Sequence, residues 1–190
     1  LRSPELVRLG EHRGELHYTT REILALEKSV LATVEAMQRQ RYLLPTHWTE
    51  EAMARHSHLT GEQTDALRHL CAARGGLTLI HGMAGTGKST LFAVAREVWT
   101  QQELSLHGAA LSGKAARGRE EAAGIPSTTL HRLLGQLRKG DRVLDDRSVV
   151  VLDEASMIGT RQLAEVVAHC ARAGAALALC GDARQLQAIE

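Results

Sequence analysis

An α/β fold is predicted: a parallel sheet with flanking helices on both faces, preceded by a helical N-terminal arm. Three observations predict it. From Leu59 onward, short apolar runs alternate with amphipathic segments, which is how parallel strands joined by crossover helices appear in sequence. The runs are apolar at nearly every position, as strands covered on both faces require. Ahead of them, apolar residues recur at helical spacing.

The elements follow in order. Thr19 and Glu22 have the spacing of a capping box, and Ile23, Leu26, Val30, Leu31, Val34 and Met37 then fall mostly on one helical face, so the first third reads as helices, with one amphipathic helix over residues 20–40. Its end is marked by the polar residues Gln38, Arg39, Gln40 and Arg41, and then by Pro45, which has no amide hydrogen to continue a helix. A linker with a short helix at 49–56 follows. Strands are predicted at 77–80, 104–110, 149–152 and 177–180. Between them, Leu91, Val94, Ala95 and Val98 line one helix face, and Leu163, Val166, Val167 and Cys170 line another. The expected division is a helical arm or linker over 1–58 and an α/β domain over 59–190.

Composition narrows the function classes. With 190 residues, 44% of them hydrophobic and 24% charged, the chain can bury one full core plus a small appendage. No stretch approaches the roughly 18–20 apolar residues of a membrane span. The opening Leu1-Arg2-Ser3-Pro4-Glu5 is too polar for a secretion signal, so a cytoplasmic protein with no membrane partner is expected. A first residue of Leu rather than Met reads as a piece of something larger or a trimmed product. Cys71, Cys170 and Cys180 form no CxxC spacing and are expected as reduced, buried thiols. Lys plus Arg at 23 against Asp plus Glu at 22 gives a formal charge of +1, which excludes a charge-driven nucleic-acid binder and confines any such contact to a local patch. The only aromatic residues, Trp48, Trp99, Tyr18, Tyr42 and Phe92, are too few for a base-stacking platform. His56 and His58 are the only close histidine pair and lack a third partner, so no histidine metal centre is encoded.

Chemistry enters directly after the first of these strands. Gly82-Met83-Ala84-Gly85-Thr86-Gly87-Lys88-Ser89-Thr90 satisfies G-x-x-x-x-G-K-[ST], the pattern of a P-loop NTPase. Its glycines let the backbone curl until successive amides face phosphate oxygens, and the helix starting near Lys88 adds its unpaired N-terminal amides. Lys88 is expected to reach the β- and γ-phosphates and Ser89 to ligate Mg²⁺. Asp153 and Glu154, at the carboxyl end of the 149–152 strand, can divide the remaining work: Asp153 holds the metal shell and Glu154 polarises an attacking water. The same acids could instead cap a following helix. ATP is expected over GTP, since no N-K-x-D element for guanine occurs.

Four ordered blocks now resemble one family. They are residues 82–90; Gly108-Ala109-Ala110-Leu111-Ser112-Gly113-Lys114-Ala115-Ala116; Asp153-Glu154-Ala155-Ser156-Met157; and Gly181-Asp182-Ala183-Arg184-Gln185-Leu186-Gln187-Ala188-Ile189. Together they resemble the RecD-like superfamily 1 DNA helicases, and most of all the helicase region of TraA-type conjugative relaxases. The resemblance runs over 60–190, and Tyr18-Thr19-Thr20-Arg21-Glu22 is similar to the segment that precedes the helicase part in relaxases.

The resemblance implies a RecA-like ATPase fold, ATP and Mg²⁺ as cofactors, single-stranded DNA as partner, and a function in plasmid DNA transfer. It implies that Gln185 senses the γ-phosphate, against the simpler reading of an exposed polar loop residue. It places Gln63 on the adenine, although Thr60-x-x-Gln63 is equally a capping box. It assigns Ser112, Gly113 and Lys114, with Thr129 and His131, to phosphates of the strand; for His131 a solvated helix face explains the residue as well. A second RecA-like domain with an arginine finger, and a relaxase domain, are expected in the full-length protein, so these residues alone should not unwind DNA. Two rival functions remain: a P-loop kinase or NTPase unrelated to DNA, and a docking module of a relaxase that has lost turnover. The 181–189 block speaks against the first, and intact Lys88, Ser89, Asp153 and Glu154 against the second.

Overall fold

The computed structural model describes residues 5–12, 14–82 and 87–181. It opens with an antiparallel hairpin, β1 (Leu6–His12) and β2 (Glu15–Thr20), pairing Val7 with Thr19 and Arg8 with Tyr18. This corrects the reading of the first third as helices. A strand shows an alternating pattern when one face is buried, and this hairpin buries neither: Leu9 and Leu16 stay 56% and 48% exposed. Helix α1 (Arg21–Arg39) then occupies the predicted span, capped by Thr20 rather than Thr19, with the Thr20 hydroxyl accepting from the Ile23 amide at 3.2 Å. The one-residue shift puts Ile23 at the third helical position, where Glu22 was expected to close a capping box. After β3 (Tyr42–Leu43), α2 (His47–Arg55) is the short helix foreseen at 49–56.

From there the alternation holds. Helix α3 (Gly61–Cys71) leads into β4 (Ala73–Arg74), which pairs with β3, and then β5 (Leu77–His81). The rest is α4 (Lys88–Gln101), β6 (Ser105–Ala110), α5 (Gly113–Ala123), β7 (Ser127–Thr129), α6 (Leu130–Lys139), β8 (Ser148–Leu152), α7 (Thr160–Ala173) and β9 (Ala176–Gly181). Strands β5 to β9 form one parallel sheet in the order β5-β9-β8-β6-β7. All four predicted strands are present; β7, a short run of Ser and Thr, has no apolar signal to betray it.

Both faces of the sheet are covered. Phe92, Val98 and Trp99 of α4 share one apolar layer with Leu67 and Leu70 of α3 and with Val149, Val151 and Cys180 of the sheet. On the other face, Leu133 and Leu134 of α6 and Val166 and Cys170 of α7 share a layer with Val150, Leu152, Leu177 and Leu179. Each such side chain, fully buried, stabilises by about 1.5–3 kcal/mol. Helix α1 belongs to this second layer, lying against α7 with Met37 buried, while α2 packs on α4. The amino-terminal helices thus close over the sheet that carries the site.

A half-buried histidine makes stability depend on pH. His107 of β6 accepts a hydrogen bond on Nδ1 from Arg142 Nη1 at 2.8 Å. Burial, then the Arg142 charge, hold its pKa below the ordinary 6.5, with Asp145 opposing. The folded chain therefore binds fewer protons than the unfolded chain just below 6.5, and the stability present above that value is lost as pH falls through the folded pKa. Thermal melting from about pH 7.5 to about pH 5 should show a falling midpoint, with a shallower fall in His107→Gln. An equal fall in that variant would assign the loss to other groups.

Candidate functional site

Because the five strands of the main sheet are parallel, their carboxyl ends share one edge, the position where open α/β sheets bind ligands. Gly82 follows β5, Gly181 ends β9, Asp153 and Glu154 follow β8, Ser112 follows β6, and β7 runs into α6. Backbone bonds stitch this edge: the Gly82 amide donates to the Gly181 carbonyl at 3.2 Å, and the Asp153 amide to the Ala109 carbonyl at 3.0 Å.

Gly87 is the N-cap of α4, with φ 79°, and itself offers no side chain to cap the first amides. Lys88 folds back, its Nζ donating to the Gly82 carbonyl at 2.6 Å. Gln63, Ile80, His81, Gly82, Gly87 and Lys88 border a cavity of about 120 Å³. Ser89 and Thr90 stand exposed in the first turn of α4. Of the remaining predicted residues, Ala84, Gly85, Thr86 and Gln185 lie outside the described residues.

Gln63 takes the capping-box role. Its Oε1 accepts from the Thr60 amide at 3.0 Å while Thr60 Oγ1 accepts from the Gln63 amide at 3.3 Å, completing the capping box. The Nε2 of the same side chain sits beside Gly87, where a Cβ on that glycine would stand 2.3 Å from it. Gly87 is thus constrained by a left-handed backbone and by space.

The acid-bearing strand is not the neighbour of β5; β9 runs between them. Asp153 Oδ1 accepts from the Glu154 amide at 3.0 Å, and Oδ2 pairs with Nη2 of Arg119, a buried residue of α5. On β9, the Cys180 thiol is pushed up to about 11 by burial and then by Asp153, while Arg119 and Lys88 pull the other way. One thiol therefore feels both the lysine of the glycine loop and the acid of β8. Glu154 holds φ 54° and ψ 35°, a left-handed conformation that costs a non-glycine residue about 1–3 kcal/mol. It stands at the N-cap position of the 3-10 turn Ala155–Met157 but its side chain makes no cap bond, and α7 takes Gly159 as its N-cap. Gly181 abuts that turn, its place for a Cβ lying 3.1 Å from the Ser156 amide.

Oxygen donors of the kind a magnesium ion takes are present in Asp153 and Ser89. Among the described residues no group of three His, Cys, Asp or Glu side chains gathers to hold a metal. Magnesium needs none, since it keeps several waters and accepts one or two protein oxygens beside those of a phosphate. The oxygen donors of Asp153 and Ser89 are therefore of the kind a phosphate-bound Mg²⁺ accepts.

At the far end of the edge, two segments distant in sequence meet. Ser112 caps α5, its Oγ accepting from the Ala115 amide at 3.1 Å, and Thr129 caps α6, its Oγ1 accepting from the Arg132 amide at 3.2 Å. Pairing of Ala110 with Thr129 sets the two helix starts side by side, and a Cβ on Gly113 would lie 4.0 Å from Thr129 Cγ2. Lys114, Arg117, His131 and Arg132 are exposed there, forming a cationic patch over two helix N-termini. Arg119 escaped the sequence reading. Its signal was position: it shares a helix face with Ala116 and Ala123, both buried.

All three cysteines are buried and unpaired. No helix among the described residues is long and apolar enough to cross a membrane.

Comparison with known proteins places this arrangement among relatives. The family profile described as AAA domain matches residues 58–190. The chain is 38% identical over 199 residues to the probable conjugal transfer protein TraA of Sinorhizobium fredii, an alignment covering 100% of this chain and 18% of that protein. It is 31% identical over 193 residues to the ATP-dependent RecD2 DNA helicase of Deinococcus radiodurans, covering 98% of this chain and 26% of that protein. It is 33% identical over 138 residues to the multifunctional conjugation protein TraI of Escherichia coli, covering 69% of this chain and 8% of that protein. The chain thus spans about a fifth of the length of the TraA relative.

Proposed function

The chain belongs to the AAA domain family, as a helicase-like member homologous to TraA and RecD proteins, and from that premise we propose that it binds and hydrolyses ATP as the core domain of a DNA helicase or translocase. We take residues 59–190 as the RecA-like ATPase domain, working inside a conjugative relaxase-helicase in plasmid DNA transfer. The observation that carries this reading is the shared sheet edge: the Lys88 loop, the Asp153-Glu154 pair and the two cationic helix starts all lie at the carboxyl ends of one parallel sheet.

Each residue has a distinct task. The amides of the 82–90 loop and the start of α4 cradle the phosphates, and Lys88 exchanges the Gly82 carbonyl for a phosphate oxygen. Gln63, whose Nε2 sits beside Gly87, reads the base. Ser89 and Asp153 would hold Mg²⁺, which neutralises charge building on the phosphates. Glu154, set at the strand end in its strained conformation, polarises the attacking water. Gln185 senses the γ-phosphate. Ser112, Gly113, Lys114, Thr129 and His131 contact phosphates of single-stranded DNA, and a second RecA-like domain supplies the arginine that completes turnover.

Strand binding is tested on the chain itself. Anisotropy of a labelled oligo(dT) should report binding that weakens with salt, and Lys114→Ala should lower the salt slope by about 0.7, the value of one phosphate contact. An unchanged slope removes Lys114 from the track. ATP turnover of the longer protein should rise when single strands are added; equal rates would mark an NTPase indifferent to DNA.

A further inference from the structure

We infer that Arg119 is a positioning residue for Asp153, holding the carboxylate of β8 in the orientation in which it serves the metal side of the nucleotide site. The inference rests on the nucleotide reading above and adds a residue that the phosphate-binding motifs do not contain.

Arg119 is 7% exposed, and a buried guanidinium is costly unless paired. Its partner is Asp153 Oδ2, on the one acid of the sheet edge assigned to Mg²⁺. A further contact fixes the arginine. Its guanidinium carbon lies 4.8 Å from the centroid of the Phe92 ring, and Phe92 is itself wholly buried on α4. The head group is thereby held between α4 and β8, and its planar fork loses little freedom on binding a carboxylate.

On the acid, the consequence is orientation. Oδ1 accepts from the Glu154 amide and Oδ2 from Arg119, so both oxygens are tied and the carboxylate plane is set. Each oxygen keeps a second lone pair, which suffices to accept from a metal-bound water. If α5 needed only a pin to β8, an apolar residue in the same space would serve as well or better. The buried Arg119 Nε makes no hydrogen bond, which shows that the site accepts an imperfectly satisfied cation to place one on Asp153.

Equilibrium titration of a fluorescent ATP analogue into the whole chain tests this, in EDTA and across a Mg²⁺ series, for wild type, Arg119→Leu and Arg119→Lys. Affinity in EDTA should be the same for all three. The Mg²⁺ concentration that gives half the metal-dependent gain should rise about 10- to 100-fold in Arg119→Leu, the usual effect of losing a partner that orients a metal ligand, and less in Arg119→Lys. An unchanged Mg²⁺ midpoint in a folded variant overturns the inference. So does an equal loss of affinity in EDTA, which would make Arg119 a general support of the loop. If Arg119→Leu does not fold, Arg119→Lys, which keeps charge and stem but not the fork, decides on the same two readouts. Wild type that binds no nucleotide under any condition overturns the nucleotide reading itself, a result distinguishable from failure of Arg119 alone.

Discussion

Replacing Lys88 by Ala should reduce ATP turnover by about 10²–10³-fold or more and weaken nucleotide binding, because it removes a preorganised cation from the place where phosphate charge develops. That side chain donates to the Gly82 carbonyl at 2.6 Å, beside the end of β5. Its removal leaves the apolar face of α4 untouched, since Leu91, Phe92, Val94, Ala95 and Val98 make the contacts with the sheet layer. The variant should therefore keep its circular dichroism spectrum and its melting temperature while losing affinity in a calorimetric titration. Retention of both fold and affinity would show that phosphates are held elsewhere and overturn the cradle assignment.

Glu154→Gln should separate binding from chemistry. The amide keeps the size of the side chain and can still contact water but cannot polarise it as a base, so kcat should fall by about 10²–10⁴-fold, with KM changing far less. The backbone at this position is left-handed, with φ 54° and ψ 35°, and glutamine meets the same strain as glutamate. Folding stability should thus be nearly unchanged. A rise in KM with kcat intact would instead place Glu154 among the binding groups.

The parts of the fold legible in sequence were those whose physics is local or compositional. Strand β8 is legible because a strand covered on both faces must be apolar throughout, and β8 is buried along its whole length; β5 gives the same apolar signal although it is an edge strand whose Leu79 is 66% exposed. The glycine motif stands out in sequence because its spacing is that of a phosphate-binding pattern rather than of packing. The hairpin was not, since Leu9 and Leu16 face solvent and leave no periodicity to read. Nor was the order of strands: that β9 separates β5 from β8 depends on non-local pairing, such as Leu77 with Leu177 and Val150 with Leu177, which no single segment encodes. The juxtaposition of Ser112 with Thr129 has the same origin, in the pairing of β6 with β7. Arg119 lay hidden because charge at a buried helix position runs against the pattern that marks a core face, and only the three-dimensional position of Asp153 explains it. Gln63 was seen with two competing roles, and the geometry shows why the sequence could not choose: the carbonyl end caps a helix while the amide end faces Gly87.

The most direct test is a crystal structure of the chain with Mg²⁺ and a non-hydrolysable ATP analogue. Lys88 Nζ should leave the Gly82 carbonyl for a phosphate oxygen, with the phosphates against the first amides of α4 and the ion held by Ser89 on the side facing Asp153. A nucleotide seated away from the carboxyl end of β5, or an ion that Asp153 does not face, would contradict it.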